Sequence, residues 1–193
     1  MNSFADNELQ LLESVKAGDA HAIKLLYDRY IGILTAVCMR YILNSEDVKD
    51  VLQDCFVKII SSVARFEYRG EGSLKAWMIR LVVNESLTWL RQKERMEVVT
   101  SDDALPDKMD EEEPEDGEVP PEVIMEMIRQ LPTGYRTVFN LYVFEQKSHK
   151  EIADLLHIKE NSSASQFHRA KEILAKGIMD YKKINDYEVV YLV

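Results

Sequence analysis

The sequence predicts an all-α protein: two small helical domains joined by a flexible acidic linker, the second domain a helix-turn-helix. Three observations carry this. Apolar residues recur three and four apart through both halves, and strand-like alternation is confined to the final residues. The net charge of −10 over 193 residues is concentrated in one segment: residues 96–122 hold 12 acidic and 1 basic side chain, residues 1–95 hold 13 of each, and residues 123–193 hold 10 basic and 9 acidic. Finally, Ser148-His149-Lys150-Glu151 has the spacing of a capping box, opening a pair of short helices.

The elements follow in order. Asp6 to Lys16 forms a first helix, ended at Gly18. Asp19 to about Leu43 forms a second, with Ile23, Leu26, Tyr27, Tyr30, Ile33, Leu34 and Val37 on its apolar stripe. Asn44-Ser45-Glu46-Asp47 breaks the pattern. Ser45 is expected to cap a third helix reaching about Ser61, with acidic residues in its first turn. This helix buries Val48, Val51, Leu52, Cys55, Phe56 and Ile59 and exposes Asp50, Gln53, Asp54 and Lys58. The loop ARFEYRGEG then leads into a fourth helix over Ser73 to Gln92. That helix has an apolar stripe of Met78, Leu81, Val82, Leu87 and Leu90. Trp77, Arg80, Asn84, Thr88 and Arg91 make a second stripe, suited to stacking on bases and pairing with phosphates.

Residues 96–121 have charge runs and prolines, and almost no large apolar residues after Leu105. Such a segment cannot bury enough surface to offset its ordering entropy, so it reads as a self-repelling tether. A sharper reading makes it a nucleic-acid mimic, in which case deleting residues 100–118 raises DNA affinity at low salt. Beyond it, residues 122–180 form the second domain: a helix from Pro121 to Gln130, another in LPTGYRTVFNLYVFE, then two helices around the turn His157-Ile158-Lys159. The last of these runs from about Glu160 to Ile178 and presents Ser162, Ser165, Gln166, His168, Arg169 and Lys171 to phosphates and base edges. The tail, residues 181–193, ends in DYEVVYLV, which suits a pairing strand or a loose end.

Other classes find little support. Cys38 and Cys55 sit in apolar helical settings without metal spacing and read as reduced core residues, which fits a cytoplasmic protein. No stretch reaches the roughly 18 apolar residues of a membrane span, and the N-terminus lacks signal-peptide regions. His21, His149, His157 and His168 are scattered, and no phosphate loop, nucleophile elbow or HExxH occurs. Neither an enzyme nor a bound cofactor or metal is expected.

Taken together, these pieces resemble a sigma-70 family RNA polymerase sigma factor of the extracytoplasmic-function group. The likeness runs from about Ala22 to Arg95 and from Ile128 to Ala175. SEDVKDVLQDCFVKI resembles the part that docks on the clamp helices of the polymerase's largest subunit, which implies polymerase contacts at Asp50, Gln53, Asp54 and Lys58. GSLKAWMIRLVVNESLTWLRQKER resembles the part that melts and reads the minus-ten element. It implies DNA contacts at Phe66, Tyr68, Lys75, Trp77, Arg80, Asn84 and Arg91, with Asn84 nearest the base pocket. The second domain resembles the winged-helix-like region 4, which reads the minus-thirty-five element through Ser162, Ser165, Gln166, His168, Arg169 and Lys171. The implied partners are core RNA polymerase (clamp helices and flap), promoter DNA and an anti-sigma factor. No small-molecule substrate is implied.

Three departures stand out. The turn that usually holds Gly holds His157, where a left-handed backbone costs energy, Lys159 replaces the usual Ser cap, and Ala164 stands where a basic residue is usual. The rival reading is a stand-alone helix-turn-helix regulator binding duplex DNA as a dimer. A dimerisation bundle has no reason to carry the SEDVKDVLQD face and the Trp77–Arg91 stripe together.

Overall fold

The computed structural model describes residues 8–93 and 119–190, with side chains up to residue 183. Every regular element among them is helical. The chain divides into two compact units, Met1–Arg95 and Met96–Val193. The acidic stretch 94–118 lies outside the described residues, as do residues 1–7 and 191–193.

The first unit contains α1 (Glu8–Lys16), α2 (Ala20–Cys38), α3 (Ser45–Ser62), a 3-10 turn at Val63–Arg65, and α4 (Ser73–Lys93). Gly18, at φ +79°, turns the chain between α1 and α2, and the Asp19 carboxylate accepts the His21 N–H at 2.8 Å to cap α2. The second helix ends earlier than the periodicity suggests, at Cys38. Tyr41 and Ile42 continue the apolar pattern, but from a turn that folds them into the core at 0 % and 1 % exposure. The cap of α3 is also displaced by one residue. Asn44, not Ser45, accepts the N–H groups of Glu46 (2.9 Å) and Asp47 (3.2 Å).

Helix α4 packs on α2 and α3, and α1 packs on α2. Leu12, Leu26, Leu34, Cys38, Cys55, Ile59, Leu74, Met78, Val82 and Leu90 fill the space between them. Five expected core positions lie at its margin, among them Ile23 and Ile33 of α2, both half-buried. Tyr27 is exposed and Phe56 half-buried, and the two rings meet outside the core with centroids 4.7 Å apart. Leu81 is half-buried, while Val83 is buried in its place.

Burial pushes the thiol of Cys55 up to about 12. The Tyr30 hydroxyl is raised to about 12 as well, by burial and by the Glu8 carboxylate beside it. The folded state therefore holds protons that the unfolded chain gives up first, so stability falls as pH rises through the unfolded values of roughly 8.5 for Cys and 10 for Tyr. Thermal scans from pH 8 to 11 are expected to show a declining midpoint for this unit, less steep in Cys55→Ala.

The second unit contains α5 (Pro121–Gln130), α6 (Thr133–Val143), α7 (His149–Leu156) and α8 (Glu160–Val190). Pro121 starts α5, where its missing N–H costs nothing. Ile128, Leu131, Ala170 and Leu174 form a core cluster flanked by Phe139 and Phe144. The expected capping box is present. Glu151 Oε2 accepts the Ser148 N–H at 2.9 Å, and Ser148 Oγ accepts the Glu151 N–H at 3.3 Å. Replacing Ser148 with alanine is expected to cost about 1 kcal/mol of this unit's stability, measured by urea melts.

His157 has φ 56° and ψ 42°, the left-handed conformation, and the Ile158 N–H closes back on the Ala153 carbonyl at 3.1 Å. This is the closure by which a left-handed residue ends a helix. His157→Gly relieves the backbone strain and is expected to raise stability by about 1 kcal/mol despite glycine's entropy, seen as a higher denaturation midpoint. Gly177 places α8 beside Met127 of α5, where a Cβ would make an ordinary van der Waals contact with Sδ at 3.4 Å. The stretch 181–190, expected to leave the helix, continues α8 as far as Val190. No glycine or proline after Gly177 interrupts it. The described part of this unit has helices and no strand to form a wing.

Candidate nucleic-acid interface

The loop between the 3-10 turn and α4 is built around two glycines at positive φ, Gly70 (113°) and Gly72 (83°), which L side chains rarely adopt. They let the chain double back so that Ser73 Oγ donates to the Gly70 carbonyl at 2.6 Å and accepts the Arg69 N–H at 3.2 Å. The Gly72 N–H donates to Glu8 Oε2 at 2.8 Å. Thus fixed, the loop brings Phe66 against Trp77 with ring centroids 4.9 Å apart. Beside this pair lies a cavity of about 380 Å³ lined by Arg65, Phe66, Glu67, Arg69, Ser73, Ala76, Trp77 and Arg80. Two aromatic rings and three guanidinium groups at one opening can hold a flat base by stacking and its phosphates by charge.

Phe66, Trp77 and Arg80 therefore meet at one cavity; Tyr68, Lys75, Asn84 and Arg91 do not line it. Asn84 is exposed one turn beyond Arg80. Arg91 folds back on its own helix, donating to the Leu87 carbonyl at 3.2 Å and to Thr88 Oγ1 at 3.3 Å. Arg65 and Arg69 complete the cavity from the loop, where helical periodicity offers no guide; the arginines of ARFEYRGEG were the available signal.

On α3, Asp50, Gln53 and Asp54 are exposed, as expected. Lys58 is exposed too, but its ammonium meets Glu85 of α4 at 2.6 Å. Next to the carboxylates an apolar groove of about 570 Å³ opens between α2 and α3, lined by Tyr27, Ile31, Met39, Leu52, Phe56 and Val57, with Gln53 on its wall. Val57 is 65 % exposed and Tyr27 45 %. The sequence reading missed this groove because a 3.6-residue stripe assigns such side chains to the core.

In α8, Ser162, Ser165, His168 and Arg169 are half-buried and Lys171 is exposed. Gln166 faces inward instead of outward: it is 8 % exposed, and its Oε1 lies 3.0 Å from where a Cβ on Gly134 would sit. Spacing explains it, because Ser163, Gln166, Ala170 and Leu174 form the stripe that anchors α8. Ser163 is also buried and bonds His149 Nδ1 at 3.1 Å. Glu172 meets the Arg169 guanidinium at 2.9 Å and the His168 ring at 3.3 Å.

Comparison with known families gives two matches, sigma-70 region 2 over residues 26–96 and sigma-70 region 4 over residues 122–174. The chain belongs to the sigma-70 family. It is 27 % identical over 187 residues to the RNA polymerase sigma-H factor of Pseudomonas aeruginosa, covering 90 % of this chain and 94 % of that one. It is also 27 % identical over 179 residues to the ECF RNA polymerase sigma-E factor of Haemophilus influenzae, covering 87 % and 93 %. Among solved structures, the sigma factor RpoE of Bartonella quintana, determined with the anti-sigma factor NepR, covers 81 % of this chain and 96 % of that chain at 20 % identity and a TM-score of 0.48. The protein is a sigma factor of the extracytoplasmic-function group, directing transcription initiation; the stand-alone regulator is not favoured. Among the described residues of this sigma factor, no helix is long and apolar enough to cross a membrane.

Proposed function

We propose that this sigma factor divides its work among three surfaces. The α2–α3 groove and the Asp50-Gln53-Asp54 face seat the clamp helices of core RNA polymerase. The cavity at Phe66 and Trp77 takes a base unstacked from the minus-ten element. The outer face of α8, with Ser162, Ser165, His168, Arg169 and Lys171, lies along the minus-thirty-five duplex. The observation that carries this is the placing of the Phe66–Trp77 ring pair among Arg65, Arg69 and Arg80 at the loop before α4. Unstacking a base costs a few kcal/mol, and an aromatic pocket beside cations supplies compensation of that order.

Asn84 and Arg91 lie along α4 beyond the cavity and Lys75 in the helix's first turn; all three would follow the strand's phosphates rather than enclose a base. The tether between the units raises the effective concentration of the second element once the first is bound, so neither domain needs high affinity alone. The factor acts in the cytoplasm, is not itself a catalyst, and is held inactive by an anti-sigma factor covering the α2–α3 groove. Run-off transcription with core RNA polymerase over a promoter library tests the reading. A defined pair of elements enriched only in the presence of this chain supports it, and no sequence-dependent initiation would sink it.

A further inference from the structure

The N-terminal helix α1 precedes the matched sigma-70 region 2, which begins at residue 26, yet its first residue reaches the loop that forms the proposed base pocket. Glu8 is 6 % exposed and Tyr30 is 6 % exposed. The Tyr30 hydroxyl donates to Glu8 Oε1 at 3.1 Å, and the Gly72 N–H donates to Glu8 Oε2 at 2.8 Å. One carboxylate therefore ties three segments together: α1, the middle of α2, and the last residue of the loop before α4. Gly72 adjoins Ser73, which lines the cavity and holds Gly70 and Arg69 through its hydroxyl.

A loop containing two positive-φ glycines has many competing conformations, and ordering it costs about 1–2 kcal/mol for each residue fixed. A buried carboxylate accepting a backbone N–H is a strong means of selecting one conformation, because the bond is charge-assisted and shielded from water. On the reading given under Proposed function, on which this inference rests, we propose that Glu8 is a positioning residue for minus-ten capture. It never touches DNA; it holds Gly72, and through Ser73 the arginine-bearing loop, in the conformation that leaves the pocket open. The segment ahead of the family's matched region is then part of the promoter-reading apparatus.

The test uses holoenzyme assembled from core RNA polymerase and the full chain. The probe is a fluorescein-labelled single strand carrying the minus-ten sequence of a promoter mapped from transcripts made by the wild-type holoenzyme. Glu8→Ala and Glu8→Leu remove both acceptors, the latter keeping the volume filled; Glu8→Gln keeps one acceptor for Gly72. Trp77→Ala tests the pocket itself, and binding to core polymerase is measured for every variant. The expected result is a loss of affinity for the strand of about tenfold in Glu8→Ala and Glu8→Leu, a change under threefold in Glu8→Gln, and unaltered binding to core polymerase. If Trp77→Ala weakens the strand complex while Glu8→Ala and Glu8→Leu bind it like wild type, the positioning role is overturned and the pocket stands. If both lose core binding in step with strand binding, Glu8 is only a structural strut and the inference is also overturned. If Trp77→Ala has no effect on strand binding, the pocket reading itself fails.

Discussion

Holoenzyme formation is expected to collapse in Asp54→Arg and in Val57→Glu, with affinity for core RNA polymerase reduced at least about 30-fold in each. The two substitutions attack different halves of one proposed surface. Asp54 is exposed on α3 beside Asp50 and Gln53, where reversing its charge would set a cation against the basic partner that such a carboxylate face recruits. Val57 is 65 % exposed on the wall of the α2–α3 groove, so a glutamate is easily solvated in the free protein and must be desolvated only when a partner covers it. Neither position belongs to the core, and melting of the free chain should barely change. Co-elution on a sizing column measures the outcome; persistence of a one-to-one complex in both variants would remove this face from the docking surface.

The second large effect concerns promoter opening. Trp77→Ala should lower open-complex formation on duplex promoter about tenfold to a hundredfold, since stacking on an aromatic contributes roughly 1–3 kcal/mol per base. Arg80→Ala should weaken it less and with a reduced dependence on salt, because a phosphate contact acts through released counterions. Permanganate reactivity of thymines near the start site reports the opening directly. If unpaired thymines appear at wild-type rates in Trp77→Ala, the base is captured elsewhere. The conservative Trp77→Phe keeps a stacking face and should retain most of the activity.

The helices were legible because periodicity is a property of the chain, and burial follows it closely along α4. The capping box at Ser148 and the strained turn at His157 were legible for the same reason, since both are fixed by residues within one turn of each other. Non-local geometry was not. The groove beside α3 needs the angle between two helices, and the cavity at Trp77 needs the path of a glycine-turned loop. Gln166 shows the limit on α8: its residue type suits base contact, but its register with Ala170 and Leu174 sends it inward. Glu8 was invisible as a partner of Gly72 because 64 residues separate them.

Helix α4 carries its buried and its outward faces on the same 21 residues, with Met78 at 0 % exposure next in sequence to Trp77. No hinge separates the two faces, so a slight rotation of the helix to fill space left by Met78→Ala also displaces the indole. Inherited changes at hidden positions of α4 would then surface as altered gene choice before they surface as misfolding. A geneticist selecting for shifted promoter preference would recover core mutants alongside contact mutants, and the two groups would interleave along the helix with its own period.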